Sequence, residues 1–149
     1  MFHGAASQSI TAVTAYANLG LSGLRHALDS TDAVAIFVDS SSISRLADTL
    51  KSVPKLRLVI YKKDSRISDH VIQKLDAEFP HVKFVEFDDF SKIGKVKPAV
   101  STIHDPDPEQ IAAIIHTSGS TGNPKGVPIK HKNIIAASQS TLSILIWLY

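Results

Sequence analysis

The chain contains no cysteine, which excludes disulfides and thiolate-bound metal within it. Its seven histidines include no His-x-x-x-His pair, so zinc is not expected and each reads as a surface or packing residue. Charge of one sign is not in excess either: 16 Lys and Arg face 14 Asp and Glu. The basic residues are scattered, apart from Lys62-Lys63 and the group Lys92, Lys95 and Lys97, which argues against nucleic acid as a partner. A long apolar run is missing. From Leu142 to Tyr149 only Ser143 is polar, but eight residues fall far short of the ~20 that span a bilayer, so a buried helix end is expected there and no transmembrane segment. Met1-Phe2-His3 does not open a basic segment followed by an apolar one. No signal peptide is expected, and the chain reads as intracellular, in the cytoplasm or at the cytosolic face of a membrane.

What is present is an ordinary globular composition, 44% apolar and 20% charged over 149 residues. A single domain of that size buries about 68–70% of its unfolded surface. Ser9 to Tyr16 is rich in β-branched residues and reads as a strand. Leu21, Leu24 and Leu28 share a helical face after Gly20, and Asp29 to Asp32 breaks that helix. Ala33 to Val38 is a continuous apolar run, as in a strand buried on both faces of a parallel sheet. Ile43, Leu46, Ala47 and Leu50 follow at helical spacing, and Pro54 prevents continuation. Leu56 to Tyr61 is the next strand. Ser68 to Phe79 is a helix, with Ser68 as N-cap, Ile67 stapling against Ile72, and Pro80 as its stop. Val82 to Phe87 reads as a strand, and Asp88 to Pro108 as an irregular surface connection. The alternation of strand and helix points to an α/β fold with a doubly wound, mostly parallel sheet. In such sheets ligands bind beyond the carboxyl ends of the strands.

One strand end stands out. After the apolar run Ile111 to Ile115 and His116 comes Thr117-Ser118-Gly119-Ser120-Thr121-Gly122-Asn123-Pro124-Lys125-Gly126, followed by Val127 to Lys130. Gly119, Gly122 and Gly126 can take positive φ and admit a ligand close to the backbone. Successive N–H groups in such a turn make an anion-binding concavity, the hydroxyls of Thr117, Ser118, Ser120 and Thr121 add donors, and Lys125 adds one positive charge. No carboxylate lies in the loop. A Walker A loop would need Gly-Lys-Ser/Thr at the mouth of a helix, whereas Lys125 lies between Pro124 and Gly126 and leads into a strand-like segment. The loop is therefore expected to join two strands and to hold phosphate. A flexible Ser/Gly linker, with Lys125 as a plain surface lysine, is the plainer alternative.

These ten residues resemble the signature loop of the adenylate-forming, AMP-binding enzyme superfamily. His131-Lys132-Asn133 resembles the His-x-Asn that opens the next helix there. Gly4 to Ile10, Val13 to Tyr16 and Leu19-Gly20 resemble the fungal-type long-chain fatty acyl-CoA synthetases. The resemblance implies a partial N-terminal adenylation domain over residues 1–149, an incomplete slice of the α/β fold with its phosphate loop at 116–127 and without the C-terminal domain. It implies an ATP-dependent acid–CoA ligase acting on fatty acid, ATP and CoA, with peripheral membrane association of the parent enzyme. Lys125 would be catalytic. The ATP phosphates would be held by His116, Thr117, Ser118, Gly119, Ser120, Thr121, Gly122, Asn123, Pro124, Lys125, Gly126 and Val127, and Thr117 or Ser118 would face magnesium. His116 departs from the tyrosine more usual before the loop. The segments for adenine, ribose and the metal glutamate lie outside the resemblance, which fades after Ala137, as in a truncated or frameshifted gene model. Three alternatives stay open: a non-catalytic nucleotide-binding remnant, an adenylating enzyme for another carboxylic acid, and a flavodoxin-like module.

Overall fold

A computed structural model of the chain describes residues 2–16, 19–65, 67–96, 105–117 and 124–146. In chain order its elements are α1 (Phe2–Ala6), β1 (Ala12–Thr14), α2 (Leu21–Ser30), β2 (Ala35–Val38), α3 (Ile43–Leu50), β3 (Leu58–Tyr61), α4 (Asp69–Glu78), β4 (Lys83–Glu86), α5 (Phe87–Val96), β5 (Ile111–Thr117), β6 (Lys125–Lys130) and α6 (His131–Ile146). They form two units, one of residues 16–101 and one built from both ends of the chain, residues 1–15 and 102–149.

In the unit of residues 16–101, β2, β3 and β4 lie side by side and all parallel, with Ala35 opposite Leu58 and Leu58 opposite Lys83. Side chains alternate between the faces of a strand, and one face carries Ile36, Val38, Val59, Tyr61 and Phe84 into the core. The apolar stripe of α3 meets them: Ile43, Leu46 and Leu50 are all buried, together with Leu28, Leu56, Leu75 and Phe79. The helix ends before Pro54, which lacks the N–H and the room to continue it. Ser68 takes the extended backbone of an N-cap, although its hydroxyl makes no capping bond; Asp69 beside it pairs instead with Lys63 at 2.5 Å. Ile67 and Ile72 both join the core, as a staple requires.

Two expectations for this unit need correction. The run Ala33 to Val38 is not buried on both faces, because β2 is at the edge of its sheet and Phe37 remains 47% exposed, its ring edge-to-face with Phe87 at 5.5 Å between ring centroids. The irregular connection expected after Asp88 begins with a helix, α5, which takes over at Phe87 where a strand was expected. Asp88 and Asp89 in its first turn and Lys95 in its last complement the helix dipole. The carboxyl end of this sheet is closed by the protein's own polar groups: Ser40 donates to Asp64, and Lys62 pairs with Asp88 at 3.0 Å.

The other unit holds a second three-stranded sheet in the order β1-β5-β6. β1 runs parallel to β5, with Val13 opposite Ile114, and β6 runs antiparallel to β5. The strands expected in one doubly wound sheet are thus shared between two, and their mostly parallel character holds. β1 is shorter than the expected Ser9 to Tyr16, since Ser9 has the left-handed φ of 55° and turns the chain after α1. Pro128 lies opposite Ile114 within β6, tolerated because β6 has a neighbour on one side only.

Leu46, 1% exposed in the core, and Ile93, 47% exposed on α5, make a contrasting pair. Leu46→Ala is expected to cost about 2–5 kcal/mol in urea denaturation, and Ile93→Ala no more than about 0.5 kcal/mol. Similar losses would show that the buried cluster does not carry the stability of this unit.

Candidate functional site

β5 and β6 bring the two ends of the hydroxyl-rich loop together. His116 faces Gly126 and Thr117 faces Lys125 in their antiparallel register, and the Thr117 hydroxyl donates to the Lys125 carbonyl over 3.4 Å. The loop does join two strands. Ser118, Gly119, Ser120, Thr121, Gly122 and Asn123 lie outside the described residues. Pro124 is buried, and Thr117, Lys125 and Val127 are exposed. In the alternation of the hairpin, Thr117 and Lys125 share a face with Ile115 and Val127, both partly open to solvent.

Lys125 makes no ion pair with any described residue. This contrasts with Lys130 and Lys132, both of which bind Glu109, at 2.7 and 2.6 Å. The N-terminus of α6 is partnered within the chain. Asn133 accepts from the Lys130 N–H at 3.0 Å, and the N–H groups of His131 and Lys132 donate to the carbonyls of Gln110 and Pro108. The first two N–H groups of α6 are therefore used internally.

Gly126 corrects the reading of its glycine. It lies within β6 and not in the left-handed region, so positive φ does not explain it. A Cβ there would stand 2.8 Å from Ile114 Cγ2 and 3.4 Å from His116 Nε2. The groups that approach this backbone closely are the protein's own Ile114 methyl and, farther off, the His116 imidazole. His116 is 0% exposed, with Nδ1 3.0 Å from the Thr14 carbonyl oxygen, and its Nε2 has no hydrogen-bond partner among the described residues.

Two features escaped sequence reasoning: the bond between His116 and Thr14, 102 residues apart, and the Glu109 bridge to Lys130 and Lys132, 21 and 23 residues away. Neither has a local spacing that could announce it. Hydrogen bonds from Lys130 and then Lys132 hold the Glu109 carboxyl down at about 2. Among the described residues no group of three or more His, Asp or Glu could hold a metal ion, and no helix is long and apolar enough to cross a membrane.

The family model for AMP-binding enzymes matches residues 1–147, and the chain belongs to that family. It is 40% identical over 147 residues to long-chain-fatty-acid–CoA ligase 4 of Saccharomyces cerevisiae, a match covering 91% of this chain and 21% of the ligase. It is 38% identical over 130 residues to long-chain-fatty-acid–CoA ligase 1 of Schizosaccharomyces pombe, covering 87% and 18% of the two chains. The chain thus spans about a fifth of the length of these curated relatives. Its fold matches the A-PCP didomain of a carboxylic acid reductase from Segniliparus rugosus, solved in complex with AMP, with a TM-score of 0.76 at 17% identity, over 91% of this chain and 20% of that one.

Gly126→Ala is expected to lower the melting temperature, because the Ile114 methyl is held by the sheet and cannot retreat freely. An unchanged thermal melt would show that the hairpin yields. The Glu109 bridge gives a pH dependence of fixed sign. A carboxyl lowered from 4.5 to about 2 contributes stability above the upper value and loses it as pH falls toward the lower. Melting curves between these pH values should therefore fall more steeply for the unaltered chain than for Glu109→Gln, by a small margin since the pair is exposed. Equal slopes would show that the bridge adds nothing.

Proposed function

We propose that this chain is a segment of an ATP-dependent long-chain fatty acid–CoA ligase and supplies its phosphate loop. The observation that carries the reading is the 40% identity to a fungal ligase over a stretch that includes the whole hairpin. The structure adds a lysine held beside Thr117 and left without a carboxylate partner among the described residues.

In this reading a fatty-acid carboxylate oxygen attacks the α-phosphorus of ATP, the bond to the bridging oxygen breaks, and pyrophosphate leaves. The CoA thiol then attacks the acyl carbonyl and AMP departs. Negative charge gathers on the leaving pyrophosphate, and Lys125 neutralises it from a fixed place on β6. A donor already in position costs no reorganisation when the charge develops, which is the source of its catalytic value. Thr117 Oγ1 and the N–H and O–H groups of the loop complete the cradle. Magnesium accompanies ATP, and of the described loop residues Thr117 carries the hydroxyl to face it. The parent enzyme works in the cytoplasm or peripherally at the cytosolic face of a membrane, where its acyl substrates partition.

Lys125→Ala in the full-length protein carrying this segment should slow ATP–pyrophosphate exchange by on the order of 100-fold and leave fatty-acid binding unchanged. Equal losses in both would count against a leaving-group role for the lysine. ATP binding without any adenylate formation by the unaltered protein would mark it as a non-catalytic remnant.

A further inference from the structure

His116 stands where β5 gives way to the loop, and its side chain has the contacts of a structural lock. The ring is 0% exposed. Its Nδ1 lies 3.0 Å from the Thr14 carbonyl oxygen, and because a carbonyl only accepts, Nδ1 carries the hydrogen. The backbone register of β1 on β5 runs through Thr14 opposite Ile115, so the imidazole adds a link at the very end of that pairing. On its other side the ring lies over Gly126, where a Cβ would come within 3.4 Å of Nε2. His116 and Gly126 are opposite one another, and the next pair along is Thr117 and Lys125.

Three strands therefore meet at one ring: β1 through its last carbonyl, β5 through its own backbone, and β6 through a glycine that leaves room for the ring. From this geometry we infer that His116 is a positioning residue for Lys125. It locks β1 to the stem of the hairpin and so fixes where the paired Thr117 and Lys125 stand relative to β1. The inference rests on the ligase reading for its catalytic readout. The role differs from that of a nucleotide contact, since a fully buried ring acts on phosphate only through the residues it places. A misplacement of about 1 Å at a reacting centre is enough to cost on the order of 100-fold in rate.

The test uses two replacements in the full-length ligase. His116→Phe keeps a ring and loses the donor; His116→Asn loses the ring and keeps an amide N–H near the place of Nδ1. In ATP–pyrophosphate exchange, His116→Phe should lower kcat by about tenfold or more with KM for ATP within about twofold of the unaltered enzyme. His116→Asn should recover most of that loss. A raised KM at unchanged kcat would make His116 a nucleotide contact and overturn the inference. So would an asparagine variant as slow as the phenylalanine one, or variants altered in melting temperature alone. Hydrogen exchange of the β6 amides reads the same lock without catalysis: it should be faster in His116→Phe than in His116→Asn, and equal rates would refute the lock. An unaltered protein that exchanges no pyrophosphate would overturn the ligase reading, while amide exchange would still decide for or against the lock.

Discussion

The antiparallel pairing of Thr117 with Lys125 is the constraint on which the site depends. In the function proposed above the loop surrounds a triphosphate and needs its ends held at a fixed separation, and two paired strands supply this through backbone bonds that do not depend on side-chain identity. The alternation of a strand then does the sorting. Thr117 and Lys125 face outward together, while His116 is turned to the buried side. A helix could not have made the same division. Its N-terminus would offer backbone donors to phosphate, but here the first two donors of α6, those of His131 and Lys132, are spent on Gln110 and Pro108. In the proposed function the anion therefore falls to the side-chain cation and the loop.

The unit of residues 16–101 has another logic. Its three parallel strands present one apolar face to helices that sit between them in sequence, and its core closes on residues such as Leu46, Leu56 and Val59 with almost no exposure. The polar groups at the carboxyl end of its strands satisfy one another. In a sheet of this kind that end is where a ligand is first sought, and here internal pairs between lysines, carboxylates and Ser40 occupy it.

How far the fold could be read from the sequence followed the length over which each signal acts. The α3 stripe of Ile43, Leu46, Ala47 and Leu50 is local, and so is its stop at Pro54, and both were legible. The strand-to-strand placement of the loop was legible as well, because Pro124, Gly126 and Pro128 rule out a helix start after Lys125. α5 was missed although Phe87, Phe90 and Ile93 recur every third residue; its charged residues and Gly94 were read as a surface connection, and Phe90 and Ile93 do remain exposed. The exposure of Phe37 depends on β2 being an edge strand, which is decided by pairing and not by composition. Gly126 was read as a residue that must be small, but the neighbours requiring it, Ile114 first and then His116, are identified only once β6 lies against β5. Within the candidate site, Lys125 and its hydroxyl neighbours were visible in the sequence, and the partner of His116 was not.

The sheet β1-β5-β6 has a strand made at the beginning of the chain and two made near its end. Thr11 reaches the Ile111 carbonyl across 100 residues, and Thr14 reaches His116 across 102. The other sheet joins strands that are neighbours in sequence. Closing a long loop costs entropy before its contacts repay it, and contacts between distant residues form slowly. During synthesis β1 leaves the ribosome as a strand without its partner and waits for β5, while residues 16–101 can condense in between. The hairpin of β5 and β6 can thus join β1 only after residues 16–101 have been made, a delay that pairing between neighbouring strands does not impose.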